Sequence, residues 1–406
     1  MEKLRLNNGI KLIYNHKDGN LTSFCIGFNA GALVEEENQL GLAHAVEHMV
    51  FKGTADKDEY QINSMCDEIF GFNNAMTNFP YAIYYGTTFS DEFDKGLGLY
   101  ADILLHPAFP EKGFKEEIDI ILEELKEWKE DSEQLCEDIM FFNAFKKNRI
   151  RERIIGTEES IKSITIEDIK SFYSKFYAPS NCVISVVSSL KLSSILPVIH
   201  KYFDEWNSDV NNRHIDKYEK HTEGIFEEEK SGLYGAKIQY CFPINHLNDR
   251  EIKALRVFNT VFGEGTSSML FDEIRTKNGL AYDVKTNIKN EKGIKLFTIS
   301  LGTSSENINK CIDIINAKIE HAKGLKNYFT IGKIEGIAKS LRMKRELQLE
   351  RSIEMAKHLT TYEIMYSFAN NVYEEVNELD GLSEAEIINV INKVFLNPTI
   401  QILRPS

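Results

Sequence analysis

Gly41-Leu42-Ala43-His44-Ala45-Val46-Glu47-His48-Met49-Val50-Phe51 is the stretch on which the reading of this chain turns. It patterns as a helix. At about 100° per residue its two histidines lie about 40° apart, and Glu47 widens the arc to about 100°, so all three share one face. Two neutral imidazoles on one face can bind one Zn2+. A carboxylate beside them stands where a general base for a zinc-activated water is needed. The chain has 10 histidines and 62 acidic residues in 406, which by chance yields roughly 0.04 such patterns. Two stray histidines on a surface helix are therefore the weaker explanation.

A catalytic zinc site takes a third protein ligand and keeps one position open. The stretch Glu116-Glu117-Ile118-Asp119-Ile120-Ile121-Leu122-Glu123-Glu124-Leu125 is a helix that can supply it. Ile118, Ile121, Leu122, Leu125 and Trp128 form its apolar arc. Glu117 and Glu124 are seven residues apart, align within about 20° and border that arc, whereas Glu123 turns about 100° away toward solvent. Glu124 is then the better ligand, and Glu117 the better carboxylate for orienting a ligand histidine from behind. Solvated helix acids remain the plain alternative for both.

The chain opens on strands. Leu4–Tyr14 carries an Asn8-Gly9 turn, and Asp18-Gly19 precedes Thr22–Phe28. A strand pair is expected near Ala75–Thr77 and Ala82–Thr88, then helices over 91–105, 111–130 and 132–148. Helix 166–176 leads into the β-branched run Cys182–Val187. Trp206–Glu223 is polar and weakly periodic and reads as a linker. The order then recurs: strand 236–242, helix 249–262, strand 294–301, long helices, helix 384–394, strand 399–403. Thr165-Ile166-Glu167-Asp168 and Ser383-Glu384-Ala385-Glu386 both open a helix that leads to a strand. Both fit a hydroxyl cap with acids in the first turn, and they point to a duplication with an offset of about 218 residues. The expected fold class is α+β, two related halves, each a mostly antiparallel sheet with helices packed on one face. The expected domains are an N-terminal half 1–205, a linker 206–224 and a C-terminal half 225–406.

At roughly 150 residues per domain, 406 residues suit two or three domains with real cores. Lys and Arg total 48 against 62 Asp and Glu, a net charge of −14. That argues against nucleic acid, whose binders carry a basic excess. Six scattered cysteines with no C-x-x-C read as reduced, buried thiols. No apolar stretch approaches about 18 residues, so no membrane span is expected, and the charged Met1-Glu2-Lys3-Leu4-Arg5 start is not a secretory signal. The expected compartment is the cytoplasm.

These motifs together resemble the pitrilysin/insulinase-type zinc peptidases, whose inverted H-x-x-E-H order is that of His44 to His48. The resemblance is to the branch of mitochondrial-type processing peptidases and their bacterial relatives. Four segments carry it: Gly41 through Thr54; the acidic helix, with Glu124 placed 76 residues after His48; Asn74-Ala75-Met76-Thr77; and Ser267 through Tyr282, with Arg275, Gly279 and Tyr282. The resemblance implies a hinged clamshell of two halves, with one Zn2+ per chain on His44, His48 and Glu124. It implies Glu47 as the base, Glu117 behind the site, and Arg275 with Tyr282 holding the scissile carbonyl, where a guanidinium and a phenol can stabilise an oxyanion. It also implies that a peptide substrate adds as a strand along Asn74, Ala75, Met76 and Thr77. Pro80 and Ala82 depart from the family pattern after that strand, and Phe70-Gly71 stands where paired glycines are usual; neither change touches the metal or the base.

Two enzymatic readings follow. The chain is a self-sufficient endopeptidase, alone or as a homodimer, or it is the catalytic subunit of a heterodimeric processing peptidase with a related partner. A third reading, a structural subunit that has lost its chemistry, predicts broken motifs. His44, Glu47, His48, Glu124, Arg275 and Tyr282 are all intact.

Overall fold

The computed structural model describes residues 1–208 and 218–406. Contacts divide the chain into two units: Met1–Lys126 with Arg153–Asp216 and Glu346–Val372, and Glu127–Glu152 with Lys217–Arg345 and Tyr373–Ser406.

The first unit holds strands β1 (Glu2–Arg5), β2 (Lys11–His16), β3 (Leu21–Phe28), β4 (Phe72–Thr77), β5 (Ala82–Phe89) and β6 (Cys182–Ser188), in sheet order β1-β2-β6-β3-β5-β4. The second holds β7 (Gly224–Lys230), β8 (Ala236–Pro243), β9 (Ala281–Glu291), β10 (Ile294–Thr303) and β11 (Thr399–Pro405), in order β7-β11-β8-β10-β9. With β1 set aside, the five strands from β2 and the five from β7, numbered along the chain, both run first, fifth, second, fourth, third. In both, only the first and last of the five pair in parallel, β2 with β6 and β7 with β11. This shared topology is the duplication that the two helix caps signalled. Thr165 accepts from the Asp168 N–H and Ser383 from the Glu386 N–H, each in a reciprocal capping box.

Helices α1 (Leu42–Val50), α2 (Glu59–Ile69) and α3 (Phe93–Leu105), with α4 (Phe114–Glu130) as far as Lys126, belong to the first unit and precede β6 in sequence. One face of the first sheet is aromatic. Phe24 packs edge-on against Phe70, Phe93 and Tyr100, and Phe28 lies 4.5 Å from Tyr177 between ring centroids. The opposite face is covered by the helix Ser352–Tyr366, which comes from the C-terminal part of the sequence. Its Thr360 hydroxyl donates to the Cys25 carbonyl, and a Cβ on Gly27 would stand 2.5 Å from Thr360 Cγ2. The second unit mirrors this. Helix α5 (Ser132–Ala144), from the N-terminal part, lies on β8 and β11, with Gln239 Nε2 donating to the Glu133 carbonyl and Asn143 Nδ2 to Gln401 Oε1.

The division therefore differs from one cut at a linker. A boundary at 206–224 misses that each half of the sequence lends one helix to the other half's sheet. An amphipathic repeat shows that a helix has a buried face, not which sheet it buries against. Of the expected linker, residues 209–217 lie outside the described residues. Its later part is tied down, since the Glu219 carboxylate accepts from the backbone N–H groups of Lys146, Lys147 and Asn148.

Candidate metal centre

Helix α1 is fixed at its N-terminus by a glycine and a buried acid. Gly41 adopts φ 88°, and a Cβ there would lie 2.4 Å from the Ile155 carbonyl oxygen. The Glu35 carboxylate, 4% exposed, accepts from the N–H groups of Gly41 and Ala43, which satisfies amides that the helix leaves unpaired and places charge at its positive end. Leu42, Ala43, Ala45, Val46, Met49 and Val50 are buried. The residues of α1 that are not fully buried are His44, Glu47 and His48, so the packing presents the three polar side chains together.

Helix α4 brings Glu117 and Glu124 to the same place. Glu124 Oε1 is 3.6 Å from His44 Nε2, and Glu124 Oε2 is 3.6 Å from His48 Nε2. These separations are too long for hydrogen bonds. Ligands held 2.0–2.2 Å from a tetrahedral zinc stand roughly 3.4 Å apart. One ligand atom from each of His44, His48 and Glu124 lies within 4.8 Å of the others. Two imidazole nitrogens and one carboxylate facing a common point fit a zinc ion. Glu123 points away and pairs with Lys126.

The surroundings set the protonation of each group. Burial, with His48 beside it, pulls the His44 pKa down to about 3, so its imidazole is neutral and ready to donate a lone pair. Burial pulls His48 down too, but the Glu117 acceptor and the charges of Glu47, Glu117 and Glu124 outweigh it, and its pKa is raised. Glu117 Oε1 lies 2.7 Å from His48 Nδ1, so Nδ1 carries the hydrogen and the Nε2 lone pair is left for a metal. Burial pushes Glu117 up, but its bonds with His48 and Lys52 bring it below the ordinary value. Lys52 pairs with Glu117 Oε2 and, at 2.7 Å, with Glu59. Burial raises the Glu47 pKa, against the hydrogen bond that Thr77 Oγ1 donates to its Oε2 at 2.5 Å.

Thr77 is the last residue of β4, the edge strand that also contains Asn74, Ala75 and Met76. Beyond it, Asn78 N–H donates to the Tyr81 carbonyl and closes the turn, with Pro80 in the loop. Arg275 and Tyr282 lie in the second unit. Arg275 occupies a single π-helical turn, Asp272–Lys277, and its guanidinium sits 4.6 Å from the Tyr282 ring centre and 4.9 Å from that of Phe271. Tyr282 is 82% exposed. The pair borders a cavity of about 930 Å3 with Lys237, Lys285, Glu133 and Tyr234.

Nothing in the sequence signals the roles of Glu35 and Lys52 or the bond from Thr77 to Glu47. Lys52 follows His48 by four residues, a spacing that puts the two near one another, but a lysine at a helix end is commonplace.

Two family models match the chain, "Insulinase (Peptidase family M16)" over residues 12–158 and "Peptidase M16 inactive domain" over 163–327. The chain belongs to the insulinase family of peptidases, M16. It is similar to an uncharacterized zinc protease, YmxG, of Bacillus subtilis, 24% identical over 98% of this chain and 97% of that one. A Rickettsia felis uncharacterized zinc protease is 26% identical over 97% of this chain and 95% of its own length. The mitochondrial-processing peptidase subunit beta of Caenorhabditis elegans is 23% identical over 96% of this chain and 86% of its own. Among solved structures, a protease from Helicobacter pylori superposes with a TM-score of 0.90 at 21% identity, covering 100% of this chain and 99% of that one. That likeness shows the fold.

Proposed function

We propose that this chain is a zinc-dependent endopeptidase that hydrolyses unfolded peptides or flexible segments. The observation that carries the reading is the convergence of His44, His48 and Glu124 on one point, beside Glu47 on the same helix face. His44 Nε2, His48 Nε2 and a Glu124 oxygen would hold the ion. Bound there, zinc would polarise the scissile carbonyl and make water a nucleophile near neutral pH. Glu47, held at Oε2 by Thr77, takes the proton of the attacking water on its other oxygen and passes it to the leaving amine nitrogen. Glu117 keeps the His48 hydrogen on Nδ1. A phenol and a guanidinium such as those of Tyr282 and Arg275 are suited to donate to a developing oxyanion.

The substrate adds as a strand beside β4, whose outer edge closes the sheet order. Backbone bonds then give affinity, and side-chain pockets give selectivity. An extended backbone is required, so folded proteins are excluded as substrates. Six free, buried cysteines suit work in the cytoplasm, and no helix among the described residues is long and apolar enough to cross a membrane.

A second reading, the catalytic subunit of a heterodimer, draws on relatives named as mitochondrial-processing peptidase subunit beta. The test is a mixed unfolded-peptide digest by the purified chain alone, read by mass spectrometry, before and after chelation and zinc repletion. Zinc-restored cleavage supports the self-sufficient enzyme. Zinc bound at one per chain without cleavage favours the heterodimer. No zinc bound contradicts both.

A further inference from the structure

The register of the first sheet assigns each side chain to a face. Gly27 faces the helix Ser352–Tyr366, where a Cβ would meet Thr360 and Ile364, and Ser23 Oγ lies 2.8 Å from Ser352 Oγ. Leu21 pairs with Phe89, Ser23 with Thr87, and Thr87 with Phe72. Leu21, Phe72 and Phe89 therefore share the face of Ser23 and Gly27, because side chains alternate along each strand. The covering helix begins only at Ser352, so this corner of the sheet stays bare. Leu21 is 48%, Phe72 42% and Phe89 63% exposed. They line a groove of about 660 Å3, closed by Phe70 and Ile353 and flanked by the charges of Glu68 and Arg351. Clustered exposed apolar side chains of this kind mark binding surfaces.

The occupant follows from β4. Phe72 is its first residue and Thr77 its last, and Thr77 bonds Glu47. By alternation Asn73, Ala75 and Thr77 face the candidate metal centre, while Phe72, Asn74 and Met76 face the groove side. A peptide paired along β4 obeys the same alternation, and its residue beside Phe72 can direct its side chain into the groove. From Thr77 to Phe72 is five residues, about 17 Å at roughly 3.4 Å per residue.

We propose that this groove is a distal specificity subsite, which takes one large apolar side chain of the peptide about five residues from the cleaved bond. The proposal rests on strand addition along β4. The bare corner lies on the sheet face opposite the chemistry, so the subsite selects the peptide without touching the reacting atoms.

The test uses the zinc-loaded full chain carrying Glu47→Gln, which binds peptide without turnover, and fluorescent peptides of about twelve residues. Each position in turn is Leu or Ser, and affinity is read by anisotropy. One position about five residues from the cleaved bond should lose about tenfold when Leu becomes Ser. Adding Leu21→Ser and Phe89→Ser, on β3 and β5 and so outside the strand that pairs with the peptide, should remove that preference and leave the affinity of the Ser peptide unchanged. Phe89→Ser alone is the second variant if the pair fails to fold, which a melting curve shows. No position preferring Leu, or a preference that survives both variants, overturns the subsite. Variants that change the oligomeric state instead of the preference make the groove a contact between copies, which also overturns it. Cleavage by the wild-type chain that Glu47→Gln lacks, without this preference, would sink the subsite and leave the peptidase standing.

Discussion

Glu117 accepts a hydrogen bond from His48, its Oε1 2.7 Å from Nδ1. Lys52 occupies the other oxygen of the same carboxylate. Two metal-facing elements, α1 and α4, are thereby joined behind the candidate ligands, and the His48 ring is turned so that Nε2 faces Glu124. Such outer partners are worth about 10–100-fold in metal affinity. Glu117→Gln should weaken zinc binding by about that factor, and Lys52→Met by somewhat less, in competition with a chromophoric chelator. Affinity unchanged in both variants would show that the carboxylate does not hold the histidine.

The exchanged helices make the two halves of the sequence incomplete by themselves. A fragment ending at residue 205 lacks the helix Ser352–Tyr366 and bares the sheet face of Ser23, Cys25 and Gly27. It should be insoluble, or bind a hydrophobic dye, where the full chain does neither. Within the full chain, Gly27→Ala places a methyl against Thr360 and Ile364. It should cost about 1–3 kcal/mol of stability by overpacking, read from chemical denaturation. A neutral outcome would mean that the helix is not seated on the sheet.

All six cysteines are free and buried. Burial pushes the Cys25 thiol up to about 12 and the Cys66 thiol up to about 11. A thiol reagent at pH 8 reacts with thiolate, so the native chain should titrate slowly, and six thiols should appear at once on denaturation. Rapid native labelling at any position would place that residue at an accessible surface.

Acid should weaken one helix start. The Glu386 carboxyl is lowered to about 2, first by the hydrogen bond from Arg250 and then by those from the Ser383 hydroxyl and N–H. A pKa lowered in the folded state stabilises above the ordinary carboxyl range, and the contribution fades as pH falls toward the folded value. Glu386→Gln should therefore be less stable than wild type at pH 7, by on the order of 0.5 kcal/mol for a partly exposed pair. The gap should close as pH falls from about 5 toward 2. A gap that stays constant with pH would assign the effect to something other than the carboxylate's charge.

Much of this was legible in the sequence because it is local. The face shared by His44, Glu47 and His48 follows from helical pitch. So does the contrast between Glu123, paired out on the surface, and Glu124, turned toward the histidines. Thr165 and Ser383 announced their capping boxes by composition alone. What the sequence hid is set by tertiary packing. No pattern in Ser352–Tyr366 says that it buries against Ser23 and Cys25 rather than the nearer sheet. Lys52 and Thr77 acquire partners only once α4 and β4 close on α1. The bare corner at Leu21, Phe72 and Phe89 exists because a helix distant in sequence happens to begin at Ser352.

Zinc content and peptide cleavage, measured in the same preparation, separate the wild-type chain from Glu47→Gln. One zinc per chain is expected in both, with cleavage by the wild type and a loss of at least about 100-fold in the variant. Full turnover by Glu47→Gln, or zinc lost along with the carboxylate's charge, would contradict the assignment of Glu47 as the base beside a metal held by His44, His48 and Glu124.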